Sequence, residues 1–147
     1  MPAYRGLFQQ VLPAVLRTTS NQGGIINLGT PGGPPSGGTF ALVVTASNTP
    51  TSLDVYIQTS PNQGTTWYDF IHFAQVGAVS SYFHSVQWSR KGQALNTTGT
   101  GVTVTGDAAL AQGVVLNTPI VDNYVRVKWV MVGTSYTFQI VAALDRD

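Results

Sequence analysis

The feature that most constrains this chain is a short-range alternation of apolar and polar residues, repeated along much of its length. It is cut at intervals by Gly, Pro, Asn and Ser. The stretch Tyr124-Val-Arg-Val-Lys-Trp-Val-Met131 shows it best: Val125, Val127, Trp129 and Met131 fall on one side of an extended chain, Arg126 and Lys128 on the other. A side chain that changes face at every residue is the mark of a half-buried strand. Residues 53–59 repeat the pattern with Leu53, Val55 and Ile57 together, and residues 135–143 with Tyr136, Phe138 and Ile140 together. Residues 66–76 are long and aromatic, with Trp67, Asp69, Ile71 and Phe73 on one face and Tyr68, Phe70 and His72 on the other. Residues 82–88 alternate weakly, and residues 40–46 are almost wholly apolar, as in a strand covered on both faces. Shorter candidates lie at 101–105 and 113–116. Gly133-Thr134, between the last two long runs, predicts a tight hairpin.

Eight or so strands separated by turn signals predict an all-β chain: an antiparallel β-sandwich, jelly-roll-like, with its core shared between two sheets. Leu42, Val44, Leu53, Val55, Ile57, Val125, Val127, Trp129, Phe138 and Ile140 are its expected interior. Helix formers are scarce, because all six acidic residues are Asp and Lys and Arg together number 7. A helix fits only near residues 107–112, where a loop fits as well.

The first quarter of the chain differs. Residues 23–38 are dominated by Gly and Pro, and ordering such a stretch alone is costly in backbone entropy. Ile25-Ile26-Asn27-Leu28 within it can make one short strand. Residues 1–22 carry apolar groups without a clean period. The expected division is therefore an extended N-terminal arm at 1–22, a connector at 23–38 and a sandwich domain at 39–147. The arm is expected to bury Tyr4, Arg5, Leu7, Phe8, Leu12 and Leu16 on a neighbour, since exposed apolar arms stay soluble by lying on something. The alternative is that it forms a first strand of its own domain. Gln9, Gln10 and Pro13 interrupt the apolar run that a secretory signal needs, and no stretch has the length of a membrane-spanning helix.

Composition narrows the chemistry. Charged residues are 9% of the chain, against about 25% in ordinary soluble domains. The net charge of +1 sets up no field for nucleic acid or anionic lipid. With no Cys, there is neither a disulfide framework nor a thiolate metal site. His72 and His84 are the only histidines, and along a regular strand Asp69 and His72 point to opposite faces, so no metal site is expected. Asp54 and Asp69 could be neighbours, but each also reads as an ordinary outward strand residue, and paired-carboxylate hydrolysis is not expected of them. Ser85 beside His84 lacks the Gly-x-Ser-x-Gly elbow of a nucleophile, and the Gly-rich stretch lacks the Lys of a phosphate loop. No enzyme activity and no cofactor are expected. Trp88, Tyr82 and Tyr124 could stack sugars or bases, though such aromatics are more often packing groups.

The most specific local signal is Ser60-Pro-Asn62-Gln-Gly64-Thr-Thr66-Trp67. It resembles the Asp-box hairpin of sialidases and other β-proteins, with Asn62 in the Asp position. It predicts a structural turn in which Asn62 folds over its own backbone, Gly64 takes a positive φ and Trp67 anchors the hairpin in the core.

A wider resemblance follows from the order of Ile25-Ile-Asn-Leu-Gly, then Leu53-Asp-Val-Tyr-Ile-Gln-Thr-Ser-Pro-Asn-Gln-Gly-Thr-Thr-Trp-Tyr-Asp, then Asn123-Tyr-Val-Arg-Val-Lys-Trp, then Tyr136-Thr-Phe-Gln-Ile. This order resembles the capsid decoration (auxiliary or cement) proteins of tailed bacteriophages. The resemblance implies a structural protein of the virion, made in the host cytoplasm. It implies a homo-oligomer, most simply a trimer, that binds the outside of the capsid and clamps the major capsid protein, with no nucleic-acid or membrane partner. The rival expectation is a carbohydrate-binding or receptor-binding β-sandwich module of a phage tail or fibre.

Overall fold

In the computed structural model, which describes residues 7–28, 37–60, 62–77, 81–89, 112–115 and 124–145, the chain is all-β. Its strands are β1 (Leu7–Arg17), β2 (Asn21–Gln22), β3 (Ile26–Asn27), β4 (Gly37–Thr59), β5 (Tyr68–His72), β6 (Tyr82–Ser89), β7 (Val114–Val115) and β8 (Tyr124–Asp145). All belong to one hydrogen-bonded antiparallel sheet. The candidate strand at 101–105 and most of the candidate helix at 107–112 lie outside the described residues.

The two longest strands each join a pair of alternating runs. β4 takes in 40–46 and 53–59, and β8 takes in 124–131 and 135–143. They pair from Gly37 opposite Asp145 to Thr59 opposite Val125. The hairpin expected at Gly133-Thr134 is therefore corrected: β8 continues through it as one strand, and Gly133 lies opposite Pro50. Glycine is required there for another reason. Its φ is 128°, and a Cβ would stand 2.6 Å from the carbonyl oxygen of Thr49. β4 shifts register between Val44 and Ala46 and again between Pro50 and Ser52. Such bulges bend a strand and exchange the side-chain parity that faces inward. Phe40, Leu42 and Val44 are buried on one side of the bend, and Leu53, Val55 and Ile57 on the other.

The bend is sharp. A straight strand would hold Trp129 and Phe138 about 30 Å apart. Their ring centroids lie 5.7 Å apart, edge to face. β8 therefore doubles back, and β4 doubles with it. One half of the sheet carries β1, β8, β4 and β6 in that order; the other carries β8, β4, β5 and β7, with β2 and β3 beside β8. The buried apolar residues of both halves form one cluster, and every core residue expected from the sequence belongs to it.

The N-terminal expectation changes most. Residues 7–17 form the strand that was the alternative expectation: as β1 they pair with β8 of their own chain, from Leu7 opposite Leu144 to Arg17 opposite Tyr136. Val11 and Leu12 enter the core, while Leu16 stays 64% exposed. The physical reason is that β8 would otherwise present a bare edge, and β1 satisfies it. The backbones of Leu7 and Phe8 take part in this ladder; Tyr4 and Arg5 lie outside the described residues. Within the expected connector, Ile26 and Asn27 make the short strand β3, Leu28 is buried, and β4 already begins at Gly37. Arg17 closes the open side of the fold. Its guanidinium lies 4.7 Å from the Trp129 ring and 4.9 Å from the Phe138 ring, and Nη2 donates to the carbonyl of Pro13 at 2.6 Å.

Candidate functional site

The hairpin that leads from β4 to β5 is held mainly by two side chains. Ser60 Oγ accepts the backbone N–H of Gly64 at 2.7 Å, and Asn62 Oδ1 accepts the backbone N–H of Thr66 at 2.8 Å. Asn62 Nδ2 donates to Thr66 Oγ1 at 3.0 Å, so this one side chain spans the turn. Gly64 has φ 94° and Gln63 φ 59°. The expected roles of Asn62 and Gly64 are those observed. Trp67 differs: it is half-buried and outside the core cluster, and it packs beneath the guanidinium of Arg126 at 4.6 Å.

The hairpin sets the register of β4 against β5, and that register assembles a polar layer on the face turned away from the core. Tyr56 pairs with His72 and Ile57 with Ile71, but Gln58 pairs with Asp69, so Phe70 is an extra residue in β5. This bulge corrects the expectation that Asp69 and His72 point to opposite faces: the parity change puts both on the outward face. Neither is an ordinary exposed strand residue. Asp69 is 1% exposed and accepts Gln58 Nε2 at 2.9 Å, and Gln58 Oε1 in turn accepts Arg126 Nε at 2.8 Å. Asp54 bonds His72 Nε2 through Oδ1 at 2.9 Å and accepts Gln75 Nε2 through Oδ2 at 2.9 Å. The His72 ring stacks on Tyr56 at 4.0 Å. Burial, followed by the negative charges of Asp54 and Asp69, pushes the Tyr56 hydroxyl up to about 12.

These distances decide what the layer can do. Asp54 and Asp69 are not neighbours. Asp69 faces Gln58, four residues along β4 from Asp54, so their backbone positions are about 13 Å apart along the strand. Glycoside hydrolysis needs roughly 5–9.5 Å between its carboxyl groups. Both Asp54 oxygens are engaged, and among the described residues no group of three or more His or Asp could hold a metal ion. The layer is a cross-linked brace that locks β5 to β4 and β4 to β8. His84 is apart from it: it lies opposite Leu42 on β6, edge-on to Phe73 at 5.9 Å. Of the aromatics expected to stack ligands, Tyr82 packs against the core and donates to the carbonyl of Ala74 at 3.3 Å, and Tyr124 is half-buried beside the hairpin.

The Asp54–His72 pair, Gln58 and the Arg126–Trp67 stack were not singled out from the sequence as a group. The signal was present in part, since 54, 56 and 58 are the polar positions alternating with 53, 55 and 57. The bulge at Phe70, which decides their partners, leaves no mark in the alternation. The chain matches no protein-family model, no curated protein and no solved structure.

Proposed function

We propose that the chain is a non-catalytic structural protein of a tailed-bacteriophage head. It attaches as an oligomer, in the simplest case a trimer, to the outer surface of the capsid and steadies contacts between major capsid subunits. In this reading the doubled sheet is a β-sandwich of jelly-roll type, and the site of action is the capsid surface of the virion, with no nucleic-acid or membrane partner. One observation supports it: two of the segments that resemble decoration proteins lie side by side. Residues 53–69 form the second half of β4, its hairpin and the start of β5, and Tyr124–Trp129 pairs directly alongside as the first half of β8. A rigid, braced half-sheet is what a protein that must hold shape under internal capsid pressure requires. The arm is no longer part of the reading, because β1 belongs to the sheet.

The test is co-sedimentation of purified protein with empty heads. Binding to expanded heads, with none to unexpanded ones, is the expected result. Failure to bind either kind, combined with glycan binding that is lost when one aromatic side chain is replaced, would transfer the protein to the receptor-binding class.

A further inference from the structure

The chain ahead of β4 follows β8 round its bend. β1 lies along the second half of β8, from Leu7 opposite Leu144 to Arg17 opposite Tyr136. β2 and β3 lie along the first half, from Asn21 opposite Trp129 to Asn27 opposite Tyr124. Only residues 18–20 link the two stretches. The link is pinned at its far end: Trp129 Nε1 donates to the carbonyl of Thr19 at 2.8 Å, and the Met131 backbone N–H donates to Ser20 Oγ at 2.9 Å. β8 makes its bend with a glycine at φ 128°. The link is Thr18-Thr19-Ser20, and β-branched threonine favours an extended chain.

β1 is the outermost strand of its half, and its ladder is imperfect. Register shifts interrupt it between Gln10 and Leu12 and between Leu12 and Val15, and Pro13 has no N–H to give. Among residues 10–17 only Val11 and Leu12 are buried. The part next to the link, Pro13-Ala14-Val15-Leu16, is exposed throughout, Val15 by 44% and Leu16 by 64%. At the link itself, Arg17 Nε is buried without an acceptor. β8 needs a strand on this edge, but the strand need not come from its own chain, since an identical segment fits the same slot in the same register. A short link made to turn at the base of a terminal strand invites that exchange, because the turn is relieved while every strand contact is kept.

We infer that β1 is exchanged between copies of the chain. Each copy in a closed set gives its β1 to the β8 edge of another and receives one in return. Residues 18–20 then run extended instead of turning. The crossing links bring Pro13–Leu16 of the copies together near the symmetry axis and a backbone carbonyl towards Arg17 Nε. The inference concerns the protein in free solution and does not rest on the capsid reading.

The absence of cysteine makes the exchange measurable. Gln10 and Val141 are opposite each other in the β1–β8 ladder, so thiols placed there can bridge. After oxidation of the double variant Gln10→Cys/Val141→Cys at micromolar concentration, denaturing electrophoresis without reductant should show chains joined to one another. The single variants, unfolded and refolded together, should form the bridge between Gln10→Cys of one chain and Val141→Cys of another. Sedimentation equilibrium of the unaltered protein, which does not depend on any variant folding, should give a multiple of the mass of one chain. Inserting three glycines between Thr18 and Thr19, both exposed, lets the link turn freely and should reduce that mass to one chain. A contact between outer surfaces would ignore the insertion. A bridge formed only within single chains, a wild-type monomer, or a mass unchanged by the insertion overturns the inference. Each of these results leaves binding to heads to be judged by its own co-sedimentation experiment.

Discussion

Asn62 and Ser60 share the hairpin between them: the Asn62 carboxamide accepts from the Thr66 backbone N–H and the Ser60 hydroxyl and donates to the Thr66 hydroxyl, and Ser60 Oγ accepts the backbone N–H groups of Asn62 and Gly64. Replacing Asn62 with Ala removes both bonds to Thr66 and leaves the Ser60 hydroxyl without its acceptor. At about 0.5–1.5 kcal/mol each, the expected loss is about 1–3 kcal/mol in a urea titration. Asn62→Asp keeps the Oδ1 acceptor and should stay close to wild type; an equally large loss in both would show that the bond to Thr66 N–H is unimportant. Tyr56 gives a pH-dependent prediction. Its folded-state pKa of about 12 lies above the ordinary value of 10.0, so the folded chain holds the phenol proton more tightly than the unfolded one. The corresponding stabilisation is whole below pH 10 and is lost as pH rises through about 12. Burial moves Tyr82 and Tyr136 in the same direction. Tyr56→Phe should flatten the alkaline fall in stability, and an unchanged slope would assign that fall to the other tyrosines. At this scale the roles of Asn62 and Gly64 were legible, because both are local turn chemistry. The pairing of Asp54 with His72 was not, because it depends on where β5 bulges.

At the scale of elements, the alternating runs located the strands well and their connections poorly. The runs at 40–46 and 53–59 face inward with opposite parity, as do those at 124–131 and 135–143. In a linear reading a change of parity at a glycine resembles the end of one strand and the start of another. Only the pairing of Pro50 with Gly133 shows that both strands pass through the bend together. Gly133→Ala should therefore be costly. It forces a side chain into an unfavourable φ and against the Thr49 carbonyl, and a loss of about 1–3 kcal/mol is expected by denaturant unfolding. A neutral result would mean that the bend relaxes without the glycine. β1 gives a matching test. Leu12 is 6% exposed, so Leu12→Ala should cost about 2–5 kcal/mol, whereas Leu16→Ala, on the exposed side, should change stability little. Equal and small effects would return the segment to the role of a free arm. That role was a fair reading of residues 1–22, because β1 carries Pro13 and two register shifts, which blur its period.

For the whole molecule, the side chains that point away from the apolar core are of two kinds. One half has a braced layer of Asp, His, Gln and Arg over β4, β5 and β8; the other has small uncharged residues around one exposed phenylalanine. The low charged fraction was legible in the sequence, but the gathering of Asp54, Asp69, Arg126 and Lys128 onto one half was not, since it follows from which strands sit beside which. The pairing of β8 also has a kinetic consequence. β1, β2, β3 and β4 all take their hydrogen bonds from β8, and Gly37 and Thr59 meet partners at Asp145 and Val125, roughly half to three quarters of the chain away. β2, β3 and the second half of β4 cannot close their ladders against β8 before residues 124–132 are made, and β1 and the first half of β4 not before residues 136–145 are made. Loops of that length must be closed before any of the pairing is repaid, which slows folding and leaves strand edges open to other nascent chains meanwhile. Protein synthesised to residue 123 should thus show no protected backbone amides in β1 or among those β4 amides that bond β8, while one further strand's worth of chain protects both sets.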